Sequence, residues 1–90
     1  GVKSYEAGTK AFEAGKFAPA IQSLSNALNA GGLSSQQMAK ALYYRGAAYR
    51  KTGKAAQAIS DLTSAVWLKN GLSDADRAAA MEQRQAAYQE

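Results

Sequence analysis

Cysteine and histidine are both missing from this chain, and each absence closes a class of chemistry. Without thiols there are no disulfides, thiolate metal sites or cysteine nucleophiles. Without imidazole there is no histidine-based triad, proton shuttle or imidazole metal ligand. Proline occurs once, at Pro19, and long polar or low-complexity tracts are absent, so nothing argues for disorder. No apolar run approaches the ~20 residues that a membrane span needs, and no membrane insertion is expected. Carboxylates are few and scattered: Glu6, Glu13, Asp61, Asp74, Asp76, Glu82 and Glu90. Asp74 and Asp76 are the one close pair. Two apart on a helix they diverge, and beside Ser73 they read as first-turn acids facing a helix dipole, not as a metal or acid–base pair. No set of nucleophile, base and orienting group can be assembled, so neither an enzyme nor a cofactor is expected.

What remains is a chain of 90 residues, enough for one domain with a modest core. A chain of that size buries about 60–65% of the surface it exposes when unfolded. It begins at Gly1, not at Met, which reads as a fragment or processed product. A missing targeting signal therefore says little, and the compartment stays unknown: cytoplasmic by default, with export left open. The net charge of +4 is unevenly laid. Between Glu13 and Asp61 there is no acid, while Lys16, Lys40, Arg45, Arg50, Lys51 and Lys54 all fall in that window. A basic centre with a more acidic end favours an acidic partner, or head-to-tail contact between copies.

The apolar and small residues recur in steps of three and four, the period of a helix with one buried face. The clearest stretch runs from Ala41 to Val66, with Leu42, Gly46 and Tyr49, then Ala58, Ile59, Leu62, Ala65 and Val66. It reads as two helices folded back on each other around Gly53, with Gly46 and Ala58 clearing the crossing. A first helix is expected from Val2 to Ala14, stopped by Gly15. A second opens at Phe17 with Pro19 in its first turn and ends at Gly31-Gly32. Ser34 and Gln37 have the form of a capping box, flanked by Leu33 and Met38 at the staple positions, and start a third helix that runs to about Thr52. A fourth follows Gly53-Lys54 and is expected to end at Asn70-Gly71. A fifth, capped near Ser73, runs to the end.

Laid on itself, the chain repeats. Residues 15–28 match residues 53–66 at 7 of 14 positions, a shift of 38. Residues 32–51 match residues 71–90 at 9 of 20, a shift of 39. The expected organisation is a single domain over 1–90, with one unit in 1–32, a second in 33–71 and the first helix of a third, or a capping helix, in 72–90.

Leu42, Arg45, Gly46 and Tyr49, followed by Ala58, Leu62 and Ala65, resemble the tetratricopeptide repeat (TPR) family. Ser4, Ala7, Gly8 and Ala11 with Ala20, Leu24 and Ala27 resemble it more weakly, and Met81, Arg84, Gln85 and Tyr88 are similar to the first helix of a further unit. The chain departs from the family in its longer period (the family repeats at about 34 residues) and in Arg45 and Arg84, which stand where an apolar residue is usual. Gln85 also replaces the small residue at the third crossing. The resemblance implies an all-α fold of tandem antiparallel helix pairs, an α-solenoid with a right-handed superhelix and about 2.5 repeats in five helices. It also implies a scaffold whose first helices line a concave groove for an extended peptide.

On the helical wheel, the face of the third helix turned from its core holds Lys40, Tyr44, Ala47 and Lys51, bordered by Tyr43 and Arg50. Matching positions are Tyr5, Thr9 and Phe12 in the first helix and Gln83 in the fifth. Aromatic rings supply area and cations pair with carboxylates, so an acidic or mixed-charge peptide is expected there. Tyr43, Tyr44 and Phe12 read equally as packing between neighbouring units, and Arg50 and Lys51 as solvated charges. The carboxylate clamp of some TPR proteins has no counterpart: its positions hold Tyr5, Thr9, Tyr44, Ala79 and Gln83. Trp67 lies off the core face of the fourth helix and reads either as an indole tucked under a loop or as an exposed contact. Self-association through Trp67 or the fifth-helix end is the rival to peptide binding. Nucleic acid is the weaker rival, since basic residues are few.

Overall fold

Five helices follow one another along the chain: α1 (Val2–Glu13), α2 (Phe17–Ala30), α3 (Ser35–Lys51), α4 (Ala55–Trp67) and α5 (Asp74–Tyr88). The computed structural model describes all residues from Gly1 to Glu90. There are no strands.

The two short turns share one construction. Gly15 (φ 76°) and Gly53 (φ 80°) take the left-handed backbone that glycine adopts without steric penalty. Each closes the helix before it with the same two hydrogen bonds. The Lys16 N–H donates to the Ala11 carbonyl and the Gly15 N–H to Phe12, while Lys54 donates to Tyr49 and Gly53 to Arg50, at 2.8–3.1 Å. This is the Schellman pattern, which satisfies carbonyls otherwise left unpaired at a helix end. Helix starts are equally readable. The Ser34 hydroxyl accepts from the Gln37 N–H while the Gln37 side chain accepts from the Ser34 N–H, each at 3.0 Å. At α5 the Ser73 hydroxyl accepts from the Asp76 N–H at 3.2 Å without the return bond.

One boundary differs from expectation. The fourth helix ends at Trp67, short of Asn70-Gly71. Leu68 turns extended (ψ 120°), and Asn70, not Gly71, takes the left-handed conformation (φ 58°). That path lays Leu68 against the core and buries Leu72 in it, with Gly71 against the start of α3.

Each helix packs on the one before it in sequence, and in addition α1 meets α3 and α3 meets α5. Neither α1 nor α2 packs on α4 or α5. The radius of gyration, 11.6 Å, is that of a compact chain of this length (about 12 Å). Close approach of the helices explains the composition of the core: ten of its fourteen buried hydrophobic residues are alanine. Leu24 and Leu62 are the largest fully buried side chains, and each sits on a glycine. A Cβ on Gly8 would stand 2.5 Å from Leu24 Cγ, and one on Gly46 would stand 2.8 Å from Leu62 Cγ.

Candidate functional site

The expected groove residues separate into three groups once α1, α3 and α5 are in place. The first is an aromatic seam between α1 and α3. Phe12 stacks on Tyr44 with ring centroids 4.5 Å apart and an 18° interplanar angle, Phe17 meets Phe12 edge-on at 5.8 Å, and Tyr43 lies 5.4 Å from Tyr44. The Lys40 ammonium stands 5.5 Å from the Tyr44 ring centre, within cation–π range. Tyr43 also packs against the core cluster. The packing reading thus accounts for one side of these rings, and all four remain only half-buried.

The second group is a polar clasp between α3 and α5. Arg50 Nε donates to the Gln83 Oε1 at 2.7 Å, and its Nη1 lies 3.5 Å from Glu90 Oε1. Arg50 and Gln83 are thereby held against each other by one short hydrogen bond. Thr9 is similarly occupied, its hydroxyl donating to the Glu6 carbonyl at 2.9 Å. Lys51 is exposed beside the clasp.

Ala47 must be corrected. The wheel turns it to the open face, but it is 2% exposed. Its helix, α3, is packed by all four others, so Gly46, Ala47 and Ala48 in its middle are all buried. Ala47 is floor, with no surface to offer.

The third feature is a hollow of about 580 Å³ at one end of the face. It is lined by Tyr5 of α1, Gln36, Gln37 and Lys40 of α3, Asp76 of α5 and the Asn70–Ser73 connection. Tyr5 and Lys40 were legible as candidates. Asp76, Asn70 and Gln37 were not, because each already had a local role as first-turn acid, stop or cap, and Gln36 carried no signal of its own.

Burial pushes the Tyr5 phenol up from its ordinary 10.0, against the opposing pull of Lys40. Burial also raises Tyr43, with Asp76 and Tyr44 adding to it. Lys40 is raised above 10.5, first by Tyr44 and further by Asp76, against its own desolvation. All three groups hold their protons more tightly folded than unfolded. The stability linked to them is therefore complete below about pH 10 and is lost as pH rises through the raised folded values. Urea unfolding followed from about pH 8 to pH 12 should show a flat region and then a fall. In a Tyr5→Phe, Tyr43→Phe double variant the fall should be shallower; an unchanged profile would contradict the assignment.

The most deeply placed polar group lies behind this face, where sequence reasoning noted only an unusual residue. Arg45 on α3 donates to both Asp61 oxygens on α4, from Nε at 2.7 Å and Nη2 at 2.8 Å, and from Nη1 to Ser25 on α2 at 3.0 Å. Its guanidinium also lies 5.7 Å from the Tyr49 ring centre. The hydrogen bonds to Asp61 hold the Arg45 guanidinium above its usual range, against burial. One side chain thereby ties three helices together. The signal that points to it is the repeat itself, which places Arg84 and Thr63 where Arg45 and Ser25 stand.

Trp67 is 76% exposed, so the tucked-under reading does not hold. Asp74 and Asp76 both lie in the first turn of α5. Compared with family models, curated proteins and solved structures, the chain matches none.

Proposed function

We propose that this chain is a helical-repeat scaffold of tetratricopeptide type that takes an extended, mixed-charge peptide along the face of α1, α3 and α5. The observation that carries the reading is the hollow at the end of that face, where Tyr5, Lys40 and Asp76 converge beside the Phe12–Tyr44 stack. An ammonium and a carboxylate across one opening suit a ligand with both signs of charge. The amides of Gln36, Gln37 and Asn70 suit the hydrogen-bonding groups of an extended backbone. Half-buried rings beside them supply contact area with little side-chain entropy to lose. The side-by-side arrangement of α1, α3 and α5, together with the matching glycine turns and glycine–leucine crossings of the two hairpins, supports the repeat reading.

Selection from a displayed library of random peptides tests it. Peptides carrying both acidic and basic residues should be enriched. Lys40→Glu and Asp76→Lys should each weaken the selected peptides tenfold or more while leaving helicity intact. Peptides that bind both variants as they bind the parent would remove the hollow from the interface. The exposure of Trp67 favours a second reading, in which this flank of α4 meets another copy of the chain.

A further inference from the structure

Arg84 repeats Arg45 without its carboxylate. The shift of 39 lays α5 on α3, and the shift of 38 lays Thr63 on Ser25. Arg45 reaches back to Ser25 on the preceding helix and forward to Asp61 on the following one. Arg84 makes the backward half alone: its Nη1 lies 3.4 Å from Thr63 Oγ1, and no carboxylate comes within 4.0 Å of it. The residues around it tell the same story. On α3, Leu42, Gly46 and Tyr49 form the stripe covered by α4, with Gly46 buried against Leu62 and the other two packed on the core. Their counterparts on α5 are Met81, Gln85 and Tyr88, and all three are exposed, Met81 by 46% and Tyr88 by 60%.

We propose that this stripe of α5 is a docking surface for an amphipathic α-helix supplied in trans, one that carries a carboxylate among small residues as α4 carries Asp61 between Ala58 and Ala65. The partner's carboxylate closes on Arg84 as Asp61 closes on Arg45, while its small residues admit Met81 and Tyr88. Two features select this occupant. The charge on the stripe is a cation with one weak neutral partner, so an acid adds a charge-assisted pair at low desolvation cost. The surrounding surface is that of a helix crossing, which a helix fills and an extended strand does not. Gln85, in place of the glycine at the other two crossings, sets the partner slightly farther out and calls for a small residue opposite.

The proposal stands on α5 and not on the hollow, and the test keeps the two apart. The probe is a labelled peptide of residues 53–70 of this same chain carrying Leu62→Ala, because Leu62 is the residue that faces Gly46 and would meet Gln85 here. It is held helical by a covalent link between positions 60 and 64, both exposed on α4. Fluorescence anisotropy should report binding to the parent protein. Arg84→Gln in the protein, or Asp61→Asn in the peptide, should each weaken it about tenfold, with no further loss when the two are combined. Lys40→Glu should bind the probe as the parent does, whatever becomes of peptide binding at the hollow. No binding to the parent, or binding that Arg84→Gln leaves unchanged, overturns the proposal. So does a parent that sediments as a dimer dispersed by Met81→Glu, which would give the stripe to a second copy.

Discussion

Asp61→Ala is expected to destabilise the fold by about 3 kcal/mol, a large share of the roughly 5–13 kcal/mol available to a chain of this length. The reason is what is left behind. Arg45 keeps its charge, loses both carboxylate bonds and retains only one hydrogen bond, to Ser25, and the Tyr49 ring nearby. Removing one partner of a buried pair costs about 3–5 kcal/mol. The lower end applies because the Arg45 side chain is 20% exposed and its free donors reach some water. The pair itself contributes far less than that number suggests. Desolvating both ions offsets most of their attraction, so a well-packed apolar pair of similar volume is often as stable or more so. The double variant Arg45→Met, Asp61→Leu should therefore recover most of the loss. Urea midpoints for the parent, Arg45→Met, Asp61→Leu and the double variant close the cycle, with Asp61→Ala measured beside them. A double variant no more stable than Asp61→Ala would mean that the cost lies in packing around Asp61 and not in a stranded guanidinium.

This ion pair marks where reading the sequence stops. Local grammar is legible, because its causes lie within a few residues of one another. Ser34 with Gln37 states a helix start, Gly15 and Gly53 state helix ends, and each is present with its hydrogen bonds. The crossing at Gly46 is legible too, since a missing side chain on a core face leaves room for whatever lies opposite. A helical wheel gives direction only, however, and neighbours need distance. Arg45 stood out as an unusual residue, but that Ser25 and Asp61 converge on it depends on how far apart α2, α3 and α4 lie. Ala47 failed for the same reason: the wheel turned it outward, and the packing of the other helices on α3 left it buried. At the hollow, Tyr5 and Lys40 were read from their faces, whereas Asp76 and Asn70 arrived through the connection after α4, whose path a stop signal at Asn70-Gly71 does not describe.

The crossing itself supports the other large prediction. Leu62→Ala should cost about 3–4 kcal/mol, in the upper part of the 2–5 kcal/mol range for buried leucine. Two features of the site push it upward. Leu62 is fully buried in a core otherwise built mostly of alanine, so few large side chains are present to share the loss. It also rests on the backbone at Gly46, and a helix backbone cannot fold inward to fill a void as a flexible side chain would. Gly46→Leu in the parent should also destabilise, by about 1–3 kcal/mol, because the new side chain starts 2.8 Å from Leu62 Cγ and 3.2 Å from Asp61 Cβ. Combined, the two changes exchange bulk across one contact. The leucine at position 46 occupies the space vacated at position 62, and the glycine no longer weakens α3. The double variant should therefore lie well above the sum of the single losses, with a coupling of about 1–3 kcal/mol. Thermal and urea unfolding of the four proteins measures it directly. Strict additivity would mean that the two residues do not share a contact, and the stacking of hairpins on their glycines would then need another cause.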